Sequence, residues 1–183
     1  TKRMLGSGYP LQCKDSVSGI KNVYLFSWVK YSRSQIIVSS NELLQFPASS
    51  IYNFKALKTA SFTETIENGA NGNVYNQTLN LTFSKIGDTF DFEQLRKCLL
   101  RAIVEDNNGV FTLLGLYNGL EVTSSTKQTG SSKQELNGYQ ITLTGKERIE
   151  SPYFSSLNLI VPATGWTFDT GDTFDSSHTI FND

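Results

Sequence analysis

The sequence predicts a mainly β domain with one α-helix, and its turns, residue alternation and aromatic content all support that class. Residues 101–121 contain an Asn-Asn-Gly and an Asn-Gly turn between short apolar runs, and both residue types accept the positive φ of tight hairpins. Apolar and polar side chains alternate through residues 79–84, as in a half-buried strand. The aromatic share of 12%, mostly Phe and Tyr, favours strands over a helical bundle. We therefore expect an antiparallel β-protein.

The first strands can be placed in order along the chain. Residues 20–28 and 35–39 are rich in β-branched and aromatic side chains, which are typical of strands. Residues 50–67 and 73–85 predict the two arms of a hairpin, although Glu64 interrupts the apolar face of the first arm. These arms exceed the usual length of about five or six residues. We therefore expect a long hairpin that projects from the domain or joins a larger sheet.

The helix is predicted between Thr89 and about Leu100. Asp88 can cap its first turn, where acidic residues interact favourably with the helix dipole. An apolar stripe that includes Phe92 and Leu95 would lie against the sheet.

The rest of the domain is predicted to return to strands. Residues 103–104 are apolar and β-branched, and residues 139–144 alternate as the last regular strand. Between these strands, residues 123–134 are a Ser/Thr/Lys/Gln-rich segment, which predicts a flexible loop.

Size, charge and cysteine usage bound the class of protein. A chain of 183 residues suits one domain of about 100–200 residues. Its formal net charge of -1 argues against a dedicated nucleic-acid binder, which would be clearly basic. Cys13 and Cys98 are expected to be free and reduced, as in a protein made in the cytoplasm. No apolar run reaches the roughly 18 residues of a membrane-spanning helix, so no membrane partner is expected.

The sequence offers no coherent catalytic, metal or cofactor site. The Asp-Thr-Gly tripeptide at 169–171 matches aspartic proteases, but those enzymes need a second such carboxylate, and the chain has no second copy. His178 is the only histidine and has no metal-site spacing around it. Thr-Gly-Lys at 144–146 lacks the spacing of a phosphate loop. We therefore expect a protein that is not an enzyme and that has no cofactor.

The C-terminal segment differs from the rest of the chain. Residues 151–183 contain four aspartates and no Lys or Arg. Trp166, Phe168 and Phe174 would each cost roughly 1.5–3 kcal/mol if left in water. We therefore expect this segment to dock on an adjacent subunit or ring, steered by its charge. The expected division is an N-terminal arm at 1–12, a β domain at 13–147 and a C-terminal extension at 148–183.

Three motifs resemble a phage structural family. They are Cys13-Lys14-Asp15 through Gly-Ile-Lys-Asn-Val-Tyr-Leu at 19–25, the two-turn segment 101–121, and Asn-Gly-Tyr-Gln-Ile-Thr-Leu-Thr-Gly-Lys-Glu at 137–147. Together they cover roughly residues 13–147 and are similar to tail-tube and tail-ring proteins of phages that infect gut Bacteroidetes, including the crAss-like phages. The resemblance implies that residues 13–147 are a tail-tube-like β domain, an antiparallel β-sandwich or barrel flanked by one helix. It also implies that this domain assembles as a ring around a DNA-conducting lumen.

The extensions at both ends favour a ring protein of a phage tail or head–tail neck. The resemblance implies a six-fold or twelve-fold ring of identical subunits, in contact with neighbouring tail, portal or neck proteins. It also implies that genomic DNA passes through the lumen without specific binding, in a virion assembled in the host cytoplasm. A major tail-tube subunit of a long-tailed phage is the first alternative, and a carbohydrate-binding or adhesin module is the second.

Two groups of residues are the expected interface positions. The hairpin tip supplies polar turn residues that would meet a neighbouring copy, and the C-terminal segment supplies aromatic residues. The six positions are Asn68, Asn71, Asn73, Trp166, Phe168 and Phe174.

Overall fold

A computed structural model describes residues 17–54, 57–69, 72–84, 92–131, 135–160, 166–167 and 173–174. Within these residues the fold is mainly β, with one short α-helix, as the sequence predicts. The strands are β1 (Ile20–Ser27), β2 (Ile37–Ser39), β3 (Glu42–Gln45), β4 (Tyr52–Asn53), β5 (Leu57–Gly69), β6 (Gly72–Ser84), β7 (Leu100–Asp106), β8 (Phe111–Leu114), β9 (Glu121–Gln128), β10 (Gly138–Glu147), β11 (Tyr153–Phe154), β12 (Trp166–Thr167) and β13 (Thr173–Phe174). The helix α1 spans Phe92–Lys97, and two 3₁₀ turns span Arg33–Gln35 and Leu157–Leu159.

The strands form two principal sheets. The larger has seven strands in the order β2-β3-β11-β8-β7-β1-β4, the smaller has four in the order β5-β6-β10-β9, and β12 and β13 pair separately. All described ladders are antiparallel except β3–β11, where Tyr153 lies beside Glu42 in a parallel pair. The prediction of a purely antiparallel architecture is therefore wrong for the larger sheet. The chain after β10 re-enters that sheet through a long-range connection, which is what a parallel neighbour requires.

The two-turn segment folds as predicted. β7 and β8 are antiparallel neighbours, and Gly109 between them has a φ of 80°, which favours glycine. Asp106 accepts the N–H groups of Asn108 and Val110 at 2.9 and 2.8 Å. Burial would raise the pKa of Asp106, but hydrogen bonds from this turn outweigh burial and hold the pKa below its usual value. Gly119, with a φ of 81°, forms the second predicted turn before β9.

The helix is shorter than predicted. It ends at Lys97 instead of about Leu100, because Leu100 already pairs with the end of β1. Leu95 is buried between the sheets, as the apolar stripe predicts. The predicted cap, Asp88, lies outside the described residues.

The first core fills the space between the two sheets. The smaller sheet presents the alternating apolar residues of β6 and β10, and the larger sheet presents alternate residues of β1 and β7. Its buried members are Val23, Leu25, Leu79, Leu81, Phe83, Leu95, Leu100, Ala102, Val104, Leu114, Leu120, Ile141 and Leu143.

The second core covers the opposite face of the larger sheet. Its buried members are Tyr24, Phe26, Ile36, Leu43, Phe46, Ile51, Ile103, Leu113, Leu116, Phe154, Leu157 and Ile160. Since β7 supplies alternate residues to both cores, six of its seven residues are buried. Phe154, Leu157 and Ile160 belong to the segment that the sequence predicts to be an extension. The chain up to residue 160 therefore packs into the body of the domain, and the predicted arm is confined to later residues.

Candidate functional site: the four-stranded sheet and its hairpin

The long hairpin dominates the smaller sheet. β5 and β6 have 13 residues each and pair along almost their whole length. β10 pairs with β6 only as far as Tyr75, so the end of the hairpin runs beyond the sheet. Gln77 is the buried residue of β6 that lies nearest the hairpin turn. The five residues of β6 between it and the turn, 72–76, span about 17 Å of strand. The long hairpin that the sequence predicts is confirmed.

The first arm of the hairpin starts later than predicted. The sequence predicts one arm over residues 50–67, but Tyr52–Asn53 forms β4 at the edge of the larger sheet, beside Tyr24 and Leu25. The chain then crosses to the smaller sheet, where β5 begins at Leu57. One continuous run of strand-forming residues therefore supplies two different sheets.

The two faces of the smaller sheet differ in their chemistry. The inward face supplies the first core, whereas the outward face is built almost entirely from hydroxyl and amide side chains. These are Thr59, Ser61, Thr63, Thr65, Asn76, Thr78, Asn80, Thr82, Ser84, Ser124, Thr126, Gln128, Gln140, Thr142 and Thr144. Among the described outward positions, the charged ones are Glu67, Glu121 and Lys146. We call this surface the polar face.

Both edges of the smaller sheet lack a strand partner within the described part of the chain. β5 pairs only with β6, and β9 pairs only with β10. The β5 edge is 13 residues long and contains no proline. An exposed edge of this length presents unpaired N–H and C=O groups, to which another strand can add.

A polar network anchors the hairpin to the body. Gln77 is 2% exposed; its Nε2 donates to Glu64 Oε2 at 3.0 Å, and its Oε1 accepts the N–H of Gly115 at 2.9 Å. Glu64 Oε2 also accepts the N–H of Ser151 at 3.1 Å. Glu64, which interrupts the apolar pattern in the sequence, is thus a hydrogen-bonded anchor. The network joins both arms to the turn after β8 and to the segment after β10.

Glu147 holds the end of β10 against the turn that precedes β9. Its Oε1 accepts the N–H groups of Tyr117 and Asn118 at 2.9 and 2.7 Å. Burial raises the pKa of Glu147, although these hydrogen bonds and the charge of Arg101 act in the opposite direction. Its Oε2 has no hydrogen-bond partner among the described groups.

The outer edge strand β9 replaces a predicted loop. The sequence predicts flexibility over residues 123–134, but residues up to Gln128 form a strand that pairs with β10 from Gly138 to Thr144. Thr is β-branched and favours strands, and Val122 packs against the first core. The flexible-loop prediction is therefore wrong for residues 123–128, because pairing with β10 outweighs the polar composition.

Two of the three predicted tip residues lie near the turn of the hairpin. Asn68 and Asn73 are cross-strand partners at the end of the β5–β6 ladder, and both are exposed. Asn71 lies outside the described residues. The structure therefore brings two of the three asparagines together, and their contact with a neighbouring copy stays a prediction.

Two of the three predicted aromatic residues lie in a separate pair of short antiparallel strands. Trp166 and Phe174 are backbone partners in the β12–β13 ladder, which joins neither of the two principal sheets. Phe168 lies outside the described residues. Docking of this segment on a neighbour also stays a prediction.

The described residues present no metal cluster or membrane span. Within them, no group of three or more His, Cys, Asp or Glu residues is arranged to hold a metal ion. No helix in those ranges is long and apolar enough to cross a membrane. Cys98 is a free, exposed thiol. Cys13, His178 and the tripeptide at 169–171 lie outside the described residues.

Comparison with known proteins identifies no family for this chain. No protein-family model, no curated protein and no solved structure matches it. Similarity to phage tail-tube and tail-ring proteins therefore stays an expectation that depends on the three sequence motifs.

Proposed function

We propose that this chain is a ring-forming structural subunit of a phage tail or head–tail neck, and that its four-stranded sheets join around a channel that conducts DNA. The observation that carries the proposal is the pair of free edges, β5 and β9, on one sheet. The motifs within residues 13–147 supply the class of assembly. The partners are further copies of the chain and the neighbouring tail, portal or neck proteins.

The strand directions of the smaller sheet support a head-to-tail junction. Every neighbouring pair in the order β5-β6-β10-β9 is antiparallel. The two edges of a four-stranded antiparallel sheet run in opposite directions, so β5 of one copy can extend the antiparallel sheet from β9 of the next. A head-to-tail junction generates a closed ring when its rotation closes. Main-chain hydrogen bonds along the edges would supply the affinity.

The size of such a barrel suits a channel for DNA. Six copies with four strands each would contribute 24 strands. At the strand spacing and tilt usual in barrels, 24 strands enclose a diameter of about 45–50 Å between backbones. This tail-tube-like barrel would leave room for a DNA duplex after side chains are added.

The polar face supports the placement of this sheet around the lumen. The larger sheet packs against the inward face, so the polar face is the one left to line the channel if the bodies of the subunits lie outside. Hydroxyl and amide groups hydrate well but do not neutralise phosphates, and phosphate neutralisation supplies most of the affinity for DNA. A nearly uncharged lining would therefore let DNA slide during ejection.

We expect no measurable affinity of the purified protein for duplex DNA at physiological salt. The polar face has one described cation, Lys146, against the carboxylates of Glu67 and Glu121. Fluorescence anisotropy of a labelled duplex across a salt series checks this. A Thr63→Lys/Thr144→Lys variant is the positive control, since it adds cations to the face and should gain salt-sensitive binding. Sub-micromolar, sequence-selective binding by the unmodified chain would refute the sliding channel.

Cysteine cross-linking tests the β5–β9 junction directly. In a Cys13→Ser/Cys98→Ser background, Ser124→Cys on β9 is combined in turn with a cysteine at each outward-facing position within residues 59–65 of β5. Facing positions on paired strands bring Cβ atoms to about 4.5–5.5 Å, close to the separation within a disulfide. At least one combination should yield a ladder of disulfide-linked multimers on a non-reducing gel.

The single-cysteine variants are the matched controls, because each can form no more than a dimer. A ladder that stops at one size would also give the number of subunits in the ring. If every combination yields only monomers and dimers, the β5–β9 junction is wrong.

The two alternatives make different demands. A major tail-tube subunit would use the same edges but repeat along the whole tail, so antibody labelling of intact virions should mark the entire tail instead of one band.

An adhesin would need exposed aromatic rings along one face. In the described residues the large exposed aromatics are Tyr52 and Tyr153, which lie on the different strands β4 and β11.

A further inference from the structure

A basic pocket lies where the end of β1 and its connection to β2 meet β7, the turn before β9 and the segment after β10. Its volume is about 880 Å³. Among the described residues, the pocket is lined by four cations and no carboxylate; the cations are Lys30, Arg33, Arg101 and Arg148. We name it the basic pocket. The ring proposed above uses none of these residues.

Arg101 is the buried cation of this pocket. It is 1% exposed, although it belongs to a strand whose neighbours are apolar. Its Nη2 donates to the carbonyl oxygens of Val29 and Leu116 at 2.9 and 3.1 Å, and Nε donates to Leu116 at 3.2 Å. Its Nη1 has no hydrogen-bond acceptor among the described groups. Burial lowers the pKa of Arg101 to about 10, so the group still carries its charge at neutral pH.

Aromatic rings surround the same guanidinium group. Its central carbon lies 5.6, 5.0 and 5.4 Å from the ring centroids of Trp28, Tyr31 and Phe46. Cation–π contacts of this kind stabilise a desolvated cation. They also leave Trp28 and Tyr31 as apolar walls of the pocket, suited to contact with another aromatic side chain.

The charge of the pocket is only partly balanced within the described part of the chain, where the carboxylate of Glu147 acts on Arg101. Arg101 forms no ion pair there, and neither do the exposed Lys30, Arg33 and Arg148. Glu147 uses its carboxylate to accept backbone N–H groups and forms no ion pair with Arg101 among the described contacts. A buried charge that is incompletely paired is costly, and an incoming carboxylate would supply the acceptor that Arg101 Nη1 lacks and a further negative charge.

We propose that the basic pocket binds the acidic segment 166–183 of a neighbouring copy. This segment contains Asp169, Asp172, Asp175 and Asp183 and no Lys or Arg, so its charge is complementary to that of the pocket. Its aromatic residues match the walls formed by Trp28 and Tyr31. Docking between copies requires the neighbours that the proposed ring supplies, whereas the affinity of the pocket for the segment does not.

A peptide-binding measurement tests the pocket. The probe is a fluorescein-labelled peptide of residues 166–183, and the receptor is the full chain with Asp172→Lys/Asp175→Lys, whose own segment no longer competes. Anisotropy should show saturable binding that weakens as salt rises. Adding Arg33→Glu/Arg148→Glu to the receptor should weaken binding by at least about tenfold, since two favourable charge contacts become repulsive.

A matched control places the same charge change elsewhere. Lys127 and Lys146 are exposed cations of the smaller sheet, and Lys127→Glu/Lys146→Glu should leave the peptide affinity unchanged. Circular dichroism checks that each receptor is folded. Equal binding by the pocket variant and its parent, or no binding by the parent, overturns the proposal.

Mixing two full-length variants distinguishes docking between copies from docking within one. A chain with the pocket charges reversed (Arg33→Glu/Arg148→Glu) and a chain with the segment charges reversed (Asp172→Lys/Asp175→Lys) should each associate more weakly alone. An equal mixture restores opposite charges between unlike copies, so assembly should recover. No recovery overturns docking between copies. If the ring proposal fails, the peptide affinity remains; if only the pocket proposal fails, the β5–β9 cross-links remain.

Discussion

A chain that ends at Glu150 should fail to fold, whereas a chain that ends at Ile160 should fold. The shorter chain loses Phe154, Leu157 and Ile160, each 8% exposed or less in the second core. Burial of each is worth roughly 1.5–3 kcal/mol, and the stability of a whole domain is only about 5–15 kcal/mol. The three losses together therefore approach the entire free energy of unfolding. Thermal unfolding followed by circular dichroism should show a cooperative transition only for the longer chain.

The sequence alone predicts an extension at 148–183 that docks on a neighbour, and loss of such an extension would leave a folded subunit; the burial of Phe154, Leu157 and Ile160 replaces that expectation. The longer truncation retains all the buried residues of the described cores, so it separates folding from the predicted role of the arm. It should stay folded but associate weakly, because it lacks the acidic segment. A folded chain ending at Glu150 would show that the second core does not depend on these three side chains.

Removal of the hairpin tip should abolish ring formation without unfolding the subunit. Residues 66–75 can be replaced by Asn-Gly, because Thr65 and Asn76 are cross-strand partners and a two-residue turn joins such a pair. None of the described residues removed is buried. We expect the melting temperature to fall by only a few degrees, about the effect of 1 kcal/mol in a domain of this size. Electron microscopy and mass measurement of the same sample should then show no rings.

A substitution at the tip is the matched control for the deletion. Asn68→Ser/Asn73→Ser keeps the length of both arms and changes only exposed side chains, so its rings should be unaffected if strand pairing supplies the affinity. Normal rings from the shortened hairpin would show that the projecting end plays no part in assembly. Loss of rings in the Ser variant would assign the contact to the asparagines instead of the backbone.

The sequence predicts best those strands that bury one face. β6 and β10 alternate apolar and polar residues because the first core takes every second side chain, and β1 and β7 are dense in the β-branched residues that such cores prefer. β9 gives no such signal, since Val122 is its one residue in contact with the first core. Its position is set by hydrogen bonding to β10, and local composition does not report a partner that lies elsewhere in the chain.

Long-range placement accounts for the other differences. Residues 50–67 look like one hairpin arm in the sequence because strand-forming residues lie on both sides of the point where the chain changes sheet. Tyr153 joins β3 from a distance of more than a hundred residues, and no local pattern encodes that pairing. Arg101 is the first residue of the predicted two-turn segment, but its burial depends on the carbonyl groups of Val29 and Leu116, which no local pattern indicates. Asn68 and Asn73 lie near the end of the hairpin, as the sequence predicts, because turn chemistry is local.

In the proposed ring, the two edges of the smaller sheet that lack a strand partner within the described residues would also determine the order of assembly. Each copy that adds to a growing arc covers one edge and contributes another of the same kind, so an arc of any length still ends in one β5 and one β9. The last junction covers both remaining edges at once and orders no additional subunit. Closure is therefore the most favourable step, and it leaves no end at which a further copy can add. Incomplete arcs should be scarce at equilibrium, and subunits should be found either free or in complete rings.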